Sequence, residues 1–362
     1  MNRALIAAAG TGGHIFPALA VAENLRNDGW QIDWLGTREG RLESRVIPAA
    51  GFSLHSISMT GVRGHGLLRK LKMPLVLAKA VLQCRRLLKH LQPNVVVTFG
   101  GYVCAPMGIA AKMMGIPLLV HEQNAVPGMT TRLLAPRATN VFLGLPVATP
   151  QWRRYSVVGN PLRQAFTEVV KTHQEDKSIA GPITILVVGG SLGAKVLNEQ
   201  VPQAVQQLVD VELNVVHQCG QGNEASTKAA YAGAEVISSL AVHEFIDDMA
   251  SEFAKADLVI CRAGALTVSE LAAVGVASIL VPLPHAVDDH QTANAKVLES
   301  CGAALLMPQK ELENGALAIH LKRLLHDRQQ LWTMARFARE RGMPEATQRL
   351  ANECKRFEKS DD

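Results

Sequence analysis

The sequence predicts an α/β protein made of two similar halves, each a parallel sheet covered by helices. Short apolar runs alternate with helical patterns along most of the chain, which is typical of parallel sheets. The stretch Gly10 to Pro17 (GTGGHIFP) follows the apolar run Ala4 to Ala9 and opens a helix. In the same way, Ile183 to Val188 leads into Gly189 to Ala194 (GGSLGA) and a helix near Lys195. Because both halves begin with strand, glycine turn and helix, we expect two Rossmann-like domains with parallel sheets facing across a cleft.

The predicted strands are short apolar runs, and several of them end in a glycine turn. In the first half they are Ala4 to Ala9, Gln31 to Leu35, Val95 to Phe99, Pro117 to Val120 and Val141 to Leu143. In the second half they are Ile183 to Val188, Leu213 to His217, Glu235 to Ser238, Asp257 to Ile260, Ala277 to Val281 and Ala303 to Met307. The pattern changes at Tyr155 to Pro161, and Lys171 to Gly181 is polar. This region predicts the domain connection, with domains at 1–160 and 161–342.

Composition excludes several classes of protein. A chain of 362 residues that is 48% hydrophobic can bury large cores. The six cysteines form no CxxC pair and have no regular spacing, which indicates neither a disulfide framework nor a zinc site and fits a reducing cytoplasm. The longest weakly charged stretch, Val103 to Val120, contains two prolines and a lysine, which argues against a membrane-spanning helix. The N-terminal apolar run is too short for a signal peptide.

The positive charge is concentrated in one region. No acidic residue stands between Glu43 and Glu122, whereas ten lysines and arginines do. Within 61–91, leucines and valines are interleaved with seven cations from Arg69 to Lys89. A domain helix with one solvated face explains the leucines but not the missing acids. The combination favours a surface that lies on an anionic bilayer.

The two glycine loops predict phosphate contacts by backbone amides. GGSLGAK lacks the GK[ST] of a Walker A motif, and Ile15 occupies the third glycine position of a GxGxxG motif. The glycines either let main-chain N–H groups approach a phosphate or only permit tight turns. His14, at the lip of the first loop, is suited to moving a proton near neutral pH.

A third stretch, Cys261 to Gly275 (CRAGALTVSELAAVG), places Glu270 in the first turns of a helix. Its carboxylate either accepts hydrogen bonds from a ribose diol or complements the helix dipole. Pro282 to Ala295 (PLPHAVDDHQTANA) follows as a loop and a helix, and its His and Asp residues are His285, Asp288, Asp289 and His290. Their spacing matches no established ligand pattern, so no metal site is predicted.

Seven motifs in the same order over nearly the whole chain carry a resemblance to a known family. They are GTGGHIFPALAVA, FGGY at Phe99 to Tyr102, HEQN at His121 to Asn124, GNPLR at Gly159 to Arg163, GGSLGA, RAGALTVSE and DHQTANA. Each motif alone is weak, but together they are highly specific. The chain resembles the bacterial MurG glycosyltransferases, UDP-N-acetylglucosamine:N-acetylmuramyl-(pentapeptide) pyrophosphoryl-undecaprenol N-acetylglucosaminyltransferases.

The resemblance implies a GT-B fold, with the last helix, about 343–362, returning to the first domain. It implies a hexosyltransferase that moves N-acetylglucosamine, with inversion, from UDP-N-acetylglucosamine to the 4-hydroxyl of undecaprenyl-diphosphate-linked N-acetylmuramyl pentapeptide, which converts lipid I to lipid II. This step belongs to peptidoglycan synthesis and so to cell wall biogenesis, cell shape and division. The resemblance implies no cofactor and no nucleic-acid partner. It implies a peripheral protein on the cytoplasmic face of the inner membrane, which would dock through region 61–91.

Site residues are carried over from the matching motifs. The donor contacts implied are the main chain of Ile246 at uracil, Glu270 at the ribose, Ser191 and Arg163 near the diphosphate, and Ala265, Leu266, Thr267, Val268, Ser269 and Glu270 along the pocket. Those implied near the sugar are Gln291, Asn124, Thr11, Gly12 and Gly13, and further candidates are Tyr102, Glu122 and Asn198. His290 stands where some members have glutamine, so a hydroxyl contact at that position does not follow. The second glycine loop would serve the UDP diphosphate, and the first the acceptor's diphosphate.

Two roles remain open for His14. It is either the base that takes the proton of the attacking hydroxyl, or a donor to the acceptor diphosphate that orders the loop. Two other functions share the two-domain design: a UDP-N-acetylglucosamine 2-epimerase, which would need no lipid, and a nucleotide-binding peripheral membrane protein without turnover. Nucleic-acid binding is disfavoured because aromatic residues make up only 4% of the chain.

Overall fold

A computed structural model describes residues 1–37, 42–57, 67–147, 152, 154–172, 181–190, 192–284 and 286–359, without the side chains of 67–72, 171, 172 and 287. The chain divides into two compact units. Unit 1 is Met1–Arg163 with Glu345–Asp362, and unit 2 is Gln164–Pro344. The chain therefore passes from one unit to the other after residues 163 and 344, where the sequence had suggested 160 and 342.

Unit 1 contains a parallel sheet of seven strands in the order β3-β2-β1-β4-β5-β6-β7. The strands are β1 Arg3–Ala7, β2 Gln31–Thr37, β3 Ser53–Ile57, β4 Val95–Thr98, β5 Leu118–Glu122, β6 Asn140–Leu143 and β7 Tyr155–Val157. β4 is buried along its whole length because the sheet has helices on both faces. The two edge strands, β3 and β7, were not predicted from the sequence.

Unit 2 contains a parallel sheet of six strands in the order β10-β9-β8-β11-β12-β13. The strands are β8 Ile183–Val188, β9 Leu213–Gln218, β10 Ile237–His243, β11 Leu258–Cys261, β12 Ala277–Leu280 and β13 Ala304–Leu306. β8 has the bounds that the sequence predicted, and the other strands differ from the prediction by one to five residues at an end. The predicted α/β architecture with two parallel sheets is confirmed.

Helices occupy most of the connections between the described strands of both units. They are α1 Gly12–Asn27, α2 Glu43–Ala49, α3 Leu67–Leu91, α4 Cys104–Met113, α5 Met129–Leu134, α6 Gln164–Thr172, α7 Lys195–Val205, α8 Glu224–Ala230, α9 Met249–Lys255, α10 Ala265–Val274, α11 His290–Glu299, α12 Gln309–Glu313, α13 Ala316–His326, α14 Arg328–Arg341 and α15 Ala346–Lys355. Across the described ranges, none of these helices has both the length and the apolar content needed to cross a bilayer.

The last helix, α15, completes the core of unit 1. Its Leu350, Ala351 and Cys354 are fully buried in the cluster that also holds residues of α1 and β1. Polar contacts fasten the residues around it: Lys355 pairs with Asp28, and Trp30 Nε1 donates to Glu358 Oε1 over 3.1 Å. The first sheet is therefore covered on one side by the end of the chain.

Candidate functional site

Each sheet has one place where the strand order reverses. In unit 1, the chain moves from β1 outward to β2 and β3, and then returns to place β4 on the other side of β1. In unit 2, β8 lies between β9 and β11 in the same manner. Loops that leave the carboxyl ends of two such strands diverge, and ligands of open α/β sheets bind in the crevice between them. The sequence-predicted loops lie at these two points: Gly10–Gly13 and Gly100–Gly101 in unit 1, Gly189–Gly193 and Gly264 in unit 2.

His14 lies in the first turn of α1, directly beyond the carboxyl end of β1. Thr11 is the residue that precedes this helix, and its carbonyl accepts from the backbone N–H groups of His14 (3.0 Å) and Ile15 (3.2 Å). The Nδ1 atom of His14 lies 3.2 Å from the carbonyl oxygen of Ala9, which can only accept a hydrogen bond. This contact assigns the proton of the neutral ring to Nδ1 and the lone pair to Nε2.

The glycine pair after β4 makes room for this imidazole. A Cβ atom on Gly100 would lie 2.7 Å from Cδ2 and 2.8 Å from Nε2 of His14. On Gly101, a Cβ atom would lie 2.5 Å from the carbonyl oxygen of Ala9. Both glycines have positive φ angles, 107° and 91°. The FGGY motif is thus explained locally, since its glycines let the loop after β4 pass close to the loop after β1.

Glu122, at the end of β5, organises the loop that carries Asn124. Its carboxylate accepts hydrogen bonds from the backbone N–H of Asn124 (3.0 Å), the side-chain amide of Asn124 (3.2 Å), the backbone N–H of Gly128 (2.9 Å) and the hydroxyl of Thr131 (2.6 Å). The residue is 4% exposed. With both oxygens bonded inside the protein, Glu122 is suited to positioning Asn124.

Two further residues from the sequence motifs lie in unit 1. Tyr102 is half-buried and packs against the apolar cluster under α3 and α4. Arg163 is exposed and is the last residue of unit 1, although the sequence assigned it to the second domain. Its guanidinium carbon lies 5.8 Å from the ring centroid of Phe16 on α1. Arg163 therefore belongs to the same unit as His14.

The glycine loop after β8 packs backbone against backbone. A Cβ atom on Gly220 would lie 2.5 Å from Cα of Gly193, and one on Gly189 would lie 2.7 Å from the amide nitrogen of Ala194. Such approaches leave space only for hydrogen atoms. Ser191, predicted to lie near the diphosphate, falls outside the described residues.

Asn198, on α7, lies below this loop and is 8% exposed. Its Nδ2 donates to the carbonyl of Cys219 over 2.9 Å, and its Oδ1 lies 3.0 Å from Nε2 of His217. The other ring nitrogen of His217 lies 2.9 Å from the hydroxyl of Tyr231. Asn198 thus supports the loop from within, because both ends of its amide are bonded to internal partners.

The run Ala265 to Glu270 forms the first two turns of α10, immediately beyond β11. Leu266, Thr267 and Ser269 are partly exposed, whereas Val268 is 0% exposed as a whole residue and packs in the core. Glu270 is 8% exposed, and its charge helps burial to raise the pKa of the Cys261 thiol at the end of β11. The carboxylate is therefore placed beside the end of a central strand, as an acceptor for hydroxyl groups would be.

The loop after β12 is held by a side chain of α11. The Oε1 atom of Gln291 accepts from the backbone N–H of Leu283 over 2.9 Å. Asp288 and Asp289 have positive φ angles of 54° and 50° just before the helix, whose first residue is His290. His285 is outside the described residues. Over the parts of the chain that the structure describes, no three His, Cys, Asp or Glu side chains converge as they would around a metal ion.

Ile246 lies in the loop that follows β10. The residue is partly exposed between exposed Phe245 and exposed Asp247. Asp248 ends the loop by capping α9, where its carboxylate accepts from the N–H of Ser251 over 3.1 Å and from its hydroxyl over 2.6 Å. The cap fixes where the loop ends. The main chain of the loop lies at the carboxyl edge of the sheet.

Arg262 is a residue of this region whose role sequence reasoning missed. Its guanidinium donates to the carbonyls of Val281 (3.3 Å) and Pro282 (3.2 Å) and to Oε1 of Gln309 (2.9 Å). Burial lowers the pKa of Arg262, but arginine keeps its charge at neutral pH. It joins the ends of β11 and β12. The signal was present as the first letter of RAGALTVSE, where a cation directly follows a buried strand.

Comparisons with known proteins identify the family of the chain. The N-terminal domain of glycosyltransferase family 28 matches residues 4–143, and the C-terminal domain of the same family matches residues 184–350. The UDP-N-acetylglucosamine--N-acetylmuramyl-(pentapeptide) pyrophosphoryl-undecaprenol N-acetylglucosamine transferase of Idiomarina loihiensis is 73% identical over all 362 residues, with both chains covered completely.

Two solved structures show the same architecture. The crystal structure of Acinetobacter baumannii MurG matches with a TM-score of 0.86 and 43% identity, over 98% of this chain and 100% of that one. A putative UDP-N-acetylglucosamine 2-epimerase from Listeria monocytogenes matches with a TM-score of 0.65 over 98% of this chain and 96% of that one, but at 16% identity, which shows a common fold only. On the full-length identity, the chain belongs to the MurG glycosyltransferases, with the two domains of glycosyltransferase family 28 and their GT-B fold.

Proposed function

We propose that the protein transfers N-acetylglucosamine from UDP-N-acetylglucosamine to the 4-hydroxyl of N-acetylmuramyl pentapeptide on undecaprenyl diphosphate. The name of the Idiomarina loihiensis relative supports this activity at 73% identity. The observation that carries the proposal within this chain is His14, held over Gly100 at the strand-order reversal with the lone pair of its neutral ring on Nε2. The reaction is a step of peptidoglycan synthesis, on which cell shape and division depend.

Unit 2 binds the donor in this proposal. The main chain at Ile246 receives uracil, Glu270 accepts from the ribose hydroxyls, and the loop 189–193, with Ser191, receives the diphosphate. Gln291 and the start of α10 contact the sugar. The support is that the described residues of this set, all but Ser191, lie at the carboxyl ends of β8, β10, β11 and β12, and that Glu270 is a nearly buried acceptor. The N–H groups at the start of α10 favour the negative charge of a diphosphate.

Unit 1 binds the acceptor. The turn formed by Thr11, Gly12 and Gly13 contacts its diphosphate, Asn124 approaches the sugar, and Arg163 adds positive charge. As the 4-hydroxyl oxygen attacks C1 of N-acetylglucosamine, its proton passes to Nε2 of His14. The bond between C1 and the diphosphate oxygen breaks, and UDP leaves with the electron pair. Attack from the side opposite to UDP inverts the configuration at C1. Backbone N–H groups of unit 2 stabilise the departing charge, and no cofactor takes part.

The decisive assay offers labelled UDP-N-acetylglucosamine to the protein with and without lipid-linked muramyl pentapeptide. We expect label in the lipid and release of UDP only when the acceptor is present. Formation of UDP-N-acetylmannosamine without acceptor would identify a 2-epimerase instead. Binding of UDP without any turnover in either arm would identify a nucleotide-binding protein.

Variants of His14 separate its two possible roles. If His14 is the base, His14→Gln and His14→Ala both lower kcat by at least about a hundredfold and remove the acidic limb of the pH profile of kcat/KM. If His14 instead donates to the acceptor diphosphate, His14→Gln retains most of kcat and the acceptor KM rises. His326→Ala, which removes an exposed histidine on α13, is the control and leaves both constants unchanged.

We also propose that unit 1 docks on the anionic cytoplasmic surface of the inner membrane through region 61–91. Residues 61–66 and the side chains of 67–72 lie outside the description. Further along α3, Leu75, Val76 and Leu82 are exposed, at 75%, 38% and 54%. Exposed cations of the same helix are Lys79, Arg85, Arg86 and Lys89. Exposed apolar side chains beside cations suit a bilayer surface with anionic headgroups.

Vesicle flotation tests this docking. Vesicles with anionic lipid should bind the protein, and the double variant Arg85→Gln with Arg86→Gln should lose about thirtyfold in affinity, since each cation near such a surface contributes about 1 kcal/mol. The matched control neutralises two adjacent exposed cations of unit 2, Lys322→Gln with Arg323→Gln, and should bind as the wild type does. Equal binding by both double variants, or no binding to anionic vesicles, would refute the docking proposal.

A further inference from the structure

The loops that follow β8, β9 and β10 are joined by one buried amide. Gln218 is the last residue of β9, the strand between β8 and β10, and is 2% exposed. Its Oε1 accepts from the N–H of Gly190 over 3.0 Å. Its Nε2 donates to the carbonyl of Gly190 over 3.0 Å and to the carbonyl of Glu244 over 2.8 Å. One side chain thus holds the main chain of two different loops.

A second contact ties the same loops together. Oε1 of Glu244 accepts from the N–H of Gly222 over 2.6 Å, in the loop that follows Gln218. Gly193 and Gly220 pack backbone to backbone, and a Cβ atom on Gly220 would lie 2.5 Å from Gly193 Cα. Gln218 and the glycine packing therefore set the spacing between two loops. One loop contains described residues 189–190 and 192–193, and the other contains Glu244.

We infer that Gln218 is a positioning residue for the nucleoside diphosphate, a role that rests on the proposed function. In this role Gln218 touches neither the diphosphate nor the base. It fixes the distance between the loop that receives the diphosphate, 189–193, and the loop whose residue Ile246 receives the base. A ligand that spans both loops gains from their fixed spacing, because the cost of ordering them is met before binding. A ligand that contacts only the second loop gains little.

The test compares UDP with uridine by calorimetric titration, using Gln218→Met, which keeps the length of the side chain but makes no hydrogen bond of this kind. We expect UDP affinity to fall about tenfold and uridine affinity to fall less than about threefold. In turnover assays the donor KM rises while kcat and the acceptor KM stay within about twofold. Equal losses for UDP and uridine, or no loss for UDP, would overturn the inference.

Gln206→Met is the matched control. Gln206 also bridges two backbone carbonyls of unit 2, those of Ala230 (2.9 Å) and Ala232 (2.7 Å), but in the turn after α8. Its loss should leave both affinities unchanged. If wild-type protein binds no UDP, the proposed function fails; if wild type binds and transfers while Gln218→Met matches it, only the positioning role fails.

A measurement on wild-type protein covers the case in which Gln218→Met does not fold. Uridine lacks the phosphates, so in the proposed site it contacts the loop that carries Ile246 and, through its ribose, Glu270, but it does not contact the loop that receives the diphosphate. If Gln218 couples the loops, adding uridine slows amide hydrogen exchange at 189–193 as well as at 244–248. Slowing confined to 244–248 would contradict the coupling.

Discussion

At the scale of single residues, the position of His14 depends on the absence of a side chain at Gly100 in the neighbouring loop. The imidazole occupies the space where a side chain of residue 100 would begin, and Ala9 orients it from the other side. A base that must take a proton from one hydroxyl tolerates little displacement. The sequence showed the histidine and both glycine motifs, but only the fold brings Gly100 against His14.

Gly100→Ala is expected to reduce kcat/KM by at least about tenfold while UDP affinity stays unchanged, because the new methyl group displaces the His14 ring. Steady-state kinetics and calorimetric titration check this. Gly115→Ala is the matched control: Gly115 also has a positive φ, 71°, but a Cβ atom there would meet nothing within 4 Å. Gly115→Ala should lower the free energy of unfolding by about 1 kcal/mol and leave kcat/KM unchanged. Similar kinetics for both variants would exclude the steric explanation.

Glu122→Gln is expected to destabilise unit 1 by about 1–3 kcal/mol and to raise the acceptor KM. The new amide group directs N–H donors at groups that themselves donate, so at least one hydrogen bond near Asn124, Gly128 or Thr131 is lost. Denaturant unfolding and acceptor titration measure the two effects. The control is Glu345→Gln, an exposed residue of unit 1, for which no change is expected. An unchanged unfolding midpoint for Glu122→Gln would contradict the positioning role.

At the scale of elements, the sequence predicted the strands of the second sheet and the central strands of the first, but it missed the two edge strands of the first sheet. Val95 to Phe99 and Ile183 to Val188 are apolar except for one threonine each, because their strands are covered on both faces. β3 (SLHSI) and β7 (YSV) are at the edges and carry exposed polar residues, so periodicity alone did not reveal them. The periodicity showed α15 as a helix, whereas its place in the first domain was expected only from the family resemblance, because tertiary packing decides which core a helix completes.

Leu350→Ala tests the contribution of α15. Leu350 is fully buried in the core of unit 1, so its truncation should cost about 2–5 kcal/mol through lost transfer energy and a cavity. Chemical denaturation should show the loss in unit 1, while UDP binding by unit 2 is retained. Ile319→Ala, at a 74% exposed position on α13, serves as the control and should change stability little. Loss of UDP binding in Leu350→Ala would show that the assignment of the donor to unit 2 is wrong.

At the scale of the whole molecule, each unit carries a buried histidine on a sheet strand. Burial lowers the pKa of His121 on β5 and of His217 on β9 to about 4 from the usual 6.5. The unfolded chain therefore takes up protons first as the pH falls, and stability is lost between about pH 6.5 and pH 4. Above that range both rings are neutral in either state, and the full stability is present.

Each unit contains one of these histidines. The free energy of unfolding of each unit should therefore fall by about 2 kcal/mol between pH 7 and pH 5. Calorimetry at the two pH values measures the loss. His217→Gln should flatten the pH dependence of unit 2 and leave that of unit 1, whereas His326→Gln, at an exposed position, should change neither. A pH dependence of unit 2 that survives in His217→Gln would assign the loss to other groups.

Ordered motifs were enough to predict the family, the two sheets and the loops at their carboxyl ends. The supports of those loops were not predictable, because Gln218 and Arg262 act through backbone groups that are distant in sequence. Val268 shows the opposite limit. It lies within the predicted ligand-binding run, but its side chain turns into the core. A motif identifies a segment, and only the fold decides which atoms of that segment face outward.

The two crossings of the chain between the units have a consequence for biosynthesis. Residues 1–163 leave the ribosome first, yet their apolar core includes Leu350, Ala351 and Cys354, which leave it last. Unit 2 is continuous, and all of its residues are available before α15 appears. Domains usually mature in the order of their synthesis. Here the part of the first core that α15 covers stays open until translation reaches the final helix.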